Sequence, residues 1–222
     1  MNEYLVELLS RGNLSEDLRQ MIYTQMIHAV NVSTLSRNLA KELEMDETFC
    51  HNIEIAGLLH DVGKIPLNRH LFQEKKGHQN IEQMRYVRLH PLVGRESLEK
   101  SHYPREICEA VYCHHENLDG SGYPEGLRGE QIPVMAKIIR TCDVYCALIS
   151  DRSYRKAFDR ETALGVMIDE VENYDMTIFL ALQRLVHRDD ASEDEELQTI
   201  TQNQKDHLPF FLREVQHLDA YL

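Results

Sequence analysis

Apolar residues recur at three- and four-residue steps along most of this chain, which is the period of an α-helix and not of a β-strand. Leu18, Met21, Ile22, Val32, Leu35, Leu39 and Leu43 mark one long helix, with Ser15 placed to cap its start. Phe49, Ile53, Ala56 and His60 carry a second. Ile81, Met84 and Val87 carry a third, which should stop near His90 because Pro91 disfavours helical geometry in the residue before it. Pro91, Pro104 and Pro133 each suit the opening of a further helix, where a missing N–H costs nothing. Their expected inward faces are Leu92, Val93 and Leu98, then Ile107, Val111 and His114, then Ala136, Ile139, Asp143 and Ala147. Asp159 and Asp175 read as caps of two more helices. Sustained two-residue alternation is absent, so the expected fold is all-α, a compact helical domain.

Three segments interrupt this pattern. Glu116 to Gln131 holds Gly120, Gly122, Gly126, Gly129 and Pro124 and reads as a loop. A second loop is expected from Ile65 to Gln79. After Arg188 the run DDASEDEE places six acids in eight residues, the signature of a solvated linker. The chain therefore divides into a main domain over residues 1–188, an acidic linker over 189–204 and an amphipathic helix over 205–222. Leu208, Phe210, Phe211, Leu212, Val215 and Leu218 give that last helix an apolar face, for docking on the main domain or for a partner.

Charge and composition narrow the function. The 222 residues carry a formal charge of −13, and nine acids against two bases lie beyond Arg188. General duplex nucleic-acid binding wants the opposite sign and is set aside. No apolar run approaches the roughly 20 residues of a membrane helix, so no membrane insertion is expected. The N-terminus bears Glu3 and Glu7 and no basic stretch, unlike a signal peptide. Five cysteines, an odd number with no CxxC pair, suit a reduced cytoplasmic setting.

The 12 histidines are the anomaly. His28 lies mid-helix among apolar neighbours, His60-Asp61 ends a helix, His90 sits at a helix break, His114-His115 ends another, and Asp143 lies between Ile139 and Ala147. A single buried histidine is usually just hydrogen-bonded. Five imidazoles and two carboxylates on inward faces cannot satisfy one another cheaply. Such donors suit a borderline or moderately hard divalent metal. Seven ligands exceed one four-coordinate site and match two metals sharing a carboxylate, an apparatus for phosphoester hydrolysis. His51, His70, His78, His102, His187, His207 and His217 read as surface or tail residues. Cys113 and Cys142 adjoin expected ligands, with helix packing as their plain role and redox sensitivity as the alternative.

Two runs carry a resemblance. AGLLHDVGK, Ala56 to Lys64, resembles the HD superfamily of metal-dependent phosphohydrolases. HHENLDGSGYPEGL, His114 to Leu127, resembles the signature of its HD-GYP phosphodiesterase branch. HPLVG at His90 to Gly94, DVYCAL at Asp143 to Leu148 and RSYRKA at Arg152 to Ala157 extend the likeness over roughly His28 to Val186. The resemblance implies an all-α fold and hydrolysis of the bacterial second messenger cyclic di-GMP by a metal-bridging hydroxide, giving the linear dinucleotide and, on a second cut, GMP. It implies two divalent metals, iron or manganese first, with zinc and nickel as alternatives. The first would take His28, His60, Asp61 and Asp143, and the second His90, His114 and His115, with Asp61 bridging. Lys64 would face the substrate phosphate or the water, Tyr123 would sit at the pocket mouth, and Arg152 and Arg155 would contact the dinucleotide.

Departures from the family pattern are local. Thr24 stands where some members carry a glutamate that holds a third metal, Cys146 where aspartate is usual and Ser153 where proline is. Lys75-Lys76-Gly77 replaces a lysine-proline-glycine stretch. No ligand is lost. Two alternatives stay open: a catalytically silent, metal-bound receptor or interaction module, and a hydrolase of another cyclic dinucleotide. Regulation by a protein partner in trans is also expected, with the acidic tail and last helix as contact points.

Overall fold

A computed structural model describes residues 16–65, 67, 87–151, 155–188 and 201–219. Among these residues there are eight α-helices and no β-strand. In chain order they are α1 (Glu16–Glu42), α2 (Glu47–Leu59), α3 (His90–Lys100), α4 (Arg105–Cys113), α5 (Val134–Leu148), α6 (Arg160–Asp169), α7 (Met176–Val186) and α8 (Gln202–Asp219). The all-α expectation holds. The Ser15 cap, the helix at Ile81 and Met84, Lys75-Lys76-Gly77 and the acidic run lie outside the described residues, as does nearly all of the Ile65–Gln79 loop.

The helix starts follow local chemistry. Asp159 accepts from the Thr162 N–H, and Asp175 from those of Thr177 and Ile178, so both predicted caps are in place. Asp46, which the spacing did not flag, caps α2 through the Phe49 N–H. Pro104 and Pro133 occupy the residue before α4 and α5, and Pro91 lies in the first turn of α3.

One buried cluster spans the molecule, with α1 packed on α2 and α5, and α4 packed on α2, α3 and α5. Ile22, Val32, Leu35, Leu39, Ile53 and Ala56 line it as their spacing predicts. Leu92 does not: it is an exposed residue. The inward face of α3 is instead His90, Pro91, Gly94 and Leu98. The reason is a backbone contact. A Cβ on Gly63 would stand 2.1 Å from the His90 carbonyl oxygen and 2.5 Å from the Gly94 nitrogen, so the turn after Asp61 seats directly on the start of α3. That contact rotates α3 and brings His90 beside Asp61.

Helix α8 begins at Gln202, earlier than the apolar spacing indicates. Thr201 and Gln204 form a reciprocal cap: the Gln204 N–H donates to Thr201 Oγ1, and the Thr201 N–H to Gln204 Oε1 at 2.9 Å. Beyond the cap, Gln204 Nε2 donates to Thr34 Oγ1 on α1. Thr201 and Asn203 donate to the fully buried carboxylate of Glu54 on α2, which also pairs with Arg37 at 2.5 Å. The start of α8 is thus tied by polar contacts to the two helices that carry His28 and His60. Leu208 is buried in the same core.

Candidate metal centre

Five elements converge on one point. His28 comes from the middle of α1, His60 and Asp61 from the end of α2, and His90 from the first residue of α3. His114 and His115 follow α4, and Asp143 lies on α5. Their ligand atoms fall into two groups, Asp61 with His90, His114 and His115, and His28 with His60 and Asp143. The rings interlock at centroid distances of 5.5 Å for His28–His60, 5.2 Å for His60–His114 and 5.1 Å for His90–His114. Asp61 stands between the groups, 3.2 Å from His90 Nε2 through Oδ1 and 3.4 Å from His60 Nε2 through Oδ2.

Backbone carbonyls set the tautomers. His60, His90 and His114 each turn Nδ1 to the carbonyl three residues back, at Gly57, Val87 and Val111, over 2.8, 2.7 and 2.6 Å. A carbonyl only accepts, so Nδ1 carries the proton and Nε2 is left as a bare lone pair. His90 Nε2 and His114 Nε2 then face each other at 3.2 Å, both rings fully buried. His60 Nε2, Asp61 Oδ1 and His28 Nδ1 are buried without a hydrogen-bond partner. Several buried acceptors aimed at one another are unfavourable unless a cation lies among them. The donor set of imidazole and carboxylate fits a divalent metal.

The electrostatics agree. Burial would raise the Asp61 carboxyl, but the charges of Lys64 and His60 outweigh it and hold it well below its ordinary value. Asp143 is held down likewise, against burial, chiefly by the His28 hydrogen bond at 2.9 Å. Burial drives His114 down to about 4 and His115 well below its usual range. For His60, burial opposes protonation, but Asp61 and Asp143 prevail and raise it. Two anionic carboxylates and two neutral imidazoles, those of His114 and His115, are donors that need lose no proton to meet a cation.

Lys64 Nζ donates to Asp61 Oδ2 at 2.6 Å. Tyr123 lies at the rim, its ring stacked on His115 at 4.7 Å and 24°. The loop bearing it is anchored by Glu116, whose buried carboxylate accepts the N–H groups of Glu125, Gly126 and Leu127 at 2.7, 3.2 and 3.0 Å. Gly122 packs so tightly that a Cβ would sit 2.3 Å from the Asn117 nitrogen. Glu116 directly follows His114-His115 in the chain, yet its role follows from contacts and not from spacing.

Arg155 is engaged elsewhere: NH1 and NH2 donate to the carbonyls of Leu148 and Ala147 at the end of α5, and its guanidinium covers the Phe158 ring at 4.2 Å. Those bonds cap the carbonyl end of the helix, with the Phe158 N–H also donating to Leu148, an arrangement that spacing could not reveal. Arg152 lies outside the described residues. Two cations that sequence reasoning passed over lie near the rim. The Arg88 guanidinium is 5.0 Å from the Tyr123 ring centre, and Arg140 Nε donates to Asn117 Oδ1 at 3.1 Å. Thr24 spends its hydroxyl on the Gln20 carbonyl of its own helix. Cys113 and Cys142 are buried and pushed up to about 12, chiefly by desolvation, so both stay as inert thiols. No helix among the described residues is long and apolar enough to cross a membrane.

Comparison with known proteins places the chain. The family described as HD domain matches residues 4–178. The chain is 35% identical over 165 residues to the cyclic di-GMP phosphodiesterase PA4108 of Pseudomonas aeruginosa, covering 74% of this chain and 39% of that protein. It is 33% identical to the 3′3′-cGAMP-specific phosphodiesterase 1 of Vibrio cholerae, covering 65% of this chain and 33% of that one. The aligned part thus spans less than half of these relatives' length. A solved structure of Bd1817, an HDGYP protein from Bdellovibrio bacteriovorus, superposes with a TM-score of 0.58 at 24% identity, covering 73% of this chain and 53% of the other. With its helical fold and its His-Asp cluster, the chain belongs to the HD domain family.

Proposed function

We propose that this chain is a metal-dependent phosphodiesterase of the HD-GYP branch, opening cyclic di-GMP to the linear dinucleotide and cutting that product again to GMP. The observation that carries the reading is the pair of buried ligand groups joined at Asp61, directly beneath the loop that bears Tyr123. His28, His60, Asp61 and Asp143 would hold one divalent metal, and His90, His114, His115 and Asp61 a second, iron or manganese before zinc or nickel. When bound, such metals supply Lewis-acid stabilisation of the phosphoryl oxygens and acidify a bound water.

The chain's own residues do the rest. The carbonyls behind His60, His90 and His114 hold those three rings with Nε2 turned into the cluster. Lys64 keeps Asp61 ionised and holds at Nζ a proton for the departing 3′-oxygen. Tyr123, clamped on His115, closes one wall and keeps bulk water off it. In this reading residues 1–188 are the catalytic unit, and the acidic stretch beyond is a linker to an accessory helix, α8 from Gln202, that a regulatory protein in trans would address. The setting is cytoplasmic, where the messenger is found.

The test is turnover of cyclic di-GMP by metal-loaded protein, with Asp61→Asn alongside. Linear dinucleotide and then GMP from the wild type, with loss of both metal and turnover in the variant, is expected. Full activity in Asp61→Asn would sink the shared-carboxylate site. Ligand bound and left uncut would favour a silent receptor. The 33% identity to a 3′3′-cGAMP-specific enzyme gives a second cyclic dinucleotide to run in parallel.

A further inference from the structure

The cations around the site divide into those already spent and those free to meet an anion. Lys64 is paired with Asp61. Arg155 is bound to helix-end carbonyls and covers Phe158. Among the described residues no carboxylate pairs with Arg88 or Arg140. Arg88 is exposed, two residues before His90, with its guanidinium over Tyr123. Arg140 precedes Asp143 by three residues on α5, so the two share a helix face. Among the described residues its side-chain bond is the one from Nε to Asn117, and neither terminal nitrogen of the fork is bonded. Asn117, which holds Arg140, packs its backbone nitrogen against Gly122, the neighbour of the Tyr123 that Arg88 covers, so both arginines attach to one loop.

Substrate chemistry requires such a pair. A cyclic dinucleotide carries two phosphates, and the His-Asp cluster accommodates one. The other must stay near the rim, over a protein of net charge −13 that otherwise repels it. Planar guanidinium forks match phosphate oxygens bidentately. We propose that Arg88 and Arg140 grip the second, non-scissile phosphate of the cyclic dinucleotide and so set the preference for a two-phosphate ring. This inference rests on the phosphodiesterase reading.

The experiment compares two substrates on metal-loaded full-length protein. Cyclic di-GMP has two phosphates, whereas bis(p-nitrophenyl) phosphate has one and cannot use a second grip. In Arg88→Ala and in Arg140→Ala, kcat/KM for cyclic di-GMP should fall at least roughly tenfold relative to kcat/KM for bis(p-nitrophenyl) phosphate. The loss should sit in KM, and the salt dependence of KM for cyclic di-GMP should flatten. Arg88→Lys, which keeps the charge but loses the fork, should recover part of the loss. Arg155→Ala should lower both substrates together, as expected of a helix cap. An unchanged substrate ratio in both alanine variants, or a selective loss in Arg155→Ala alone, would overturn the clamp. A wild type that cuts bis(p-nitrophenyl) phosphate but no cyclic dinucleotide would overturn the substrate reading itself.

Discussion

Replacing Glu116 by alanine should release the loop that covers the site. Its carboxylate is buried, with Oε1 accepting from the Glu125 and Gly126 N–H groups and Oε2 from that of Leu127. A hydrogen bond to a charged group contributes about 1.5–3 kcal/mol. The bonds at 2.7 and 3.0 Å are full-strength, while the 3.2 Å bond to Gly126 is weak. Water will recover part of the loss, because the loop is half-exposed. The expected destabilisation is therefore about 3 kcal/mol, or roughly 6–12 °C in Tm for a chain of this size. Glu116→Gln separates charge from shape. Its amide oxygen keeps the two Oε1 bonds, but its NH2 group is set against the Leu127 N–H, so about half the effect should remain. Thermal unfolding by circular dichroism reads both variants, and turnover should fall with them as Tyr123 loses its seat on His115. A Glu116→Ala protein that melts within about 2 °C of wild type would refute the assignment of loop order to this carboxylate.

Further outcomes follow from the same contacts. Glu54→Ala removes a fully buried carboxylate that Thr201, Asn203 and Arg37 share and leaves Arg37 with Glu47 alone, so we expect a loss of about 3 kcal/mol and early proteolytic release of α8; equal protease resistance would count against the α8 tie. Gly63→Ala drives a Cβ into the His90 carbonyl, with only backbone there to yield, so a loss of about 3 kcal/mol and a fall in bound metal per chain are expected; normal loading would contradict the seating of α3. Metal-stripped protein should lose stability as pH falls. His114 and His115 stay neutral when folded but take protons when unfolded, so each removes stability below about 6.5, His114 until about 4, a total near 3 kcal/mol for His114 alone. Asp61 and Asp143 extend the loss below about 4, whereas His60, raised on folding, adds stability below about 6.5 that disappears as pH rises above it. A denaturant series from pH 7 to 4 that shows constant or rising stability would refute the protonation states described.

The helices and the clustered His and Asp residues were legible because both depend on short-range regularities. Period-3.6 apolar spacing placed α1 and α2, Asp159 and Asp175 announced their caps, and the seven His and Asp side chains of the two groups stood out as polar residues on apolar faces. What escaped were directions fixed by distant contacts. Leu92 faces out because Gly63 and His90 meet backbone to backbone, a constraint that helical period does not encode. Arg155 caps α5 because a long guanidinium reaches the carbonyls at the end of that helix, a contact set by where the fold returns the chain. Arg88 and Arg140 are ordinary in the sequence and gain meaning only beside Tyr123. The cap of α8 was readable, since Thr201 and Gln204 have the spacing of a capping box, but the acidic run before it drew the boundary too late.

The central claim is that two metals held around Asp61 drive cleavage of a cyclic dinucleotide. Stripped protein should be titrated anaerobically with manganese or ferrous ion while cyclic di-GMP turnover is followed by chromatography. The account predicts no turnover without metal and a rise that saturates near two equivalents per chain. Turnover that survives stripping, or that saturates at one equivalent, would contradict it.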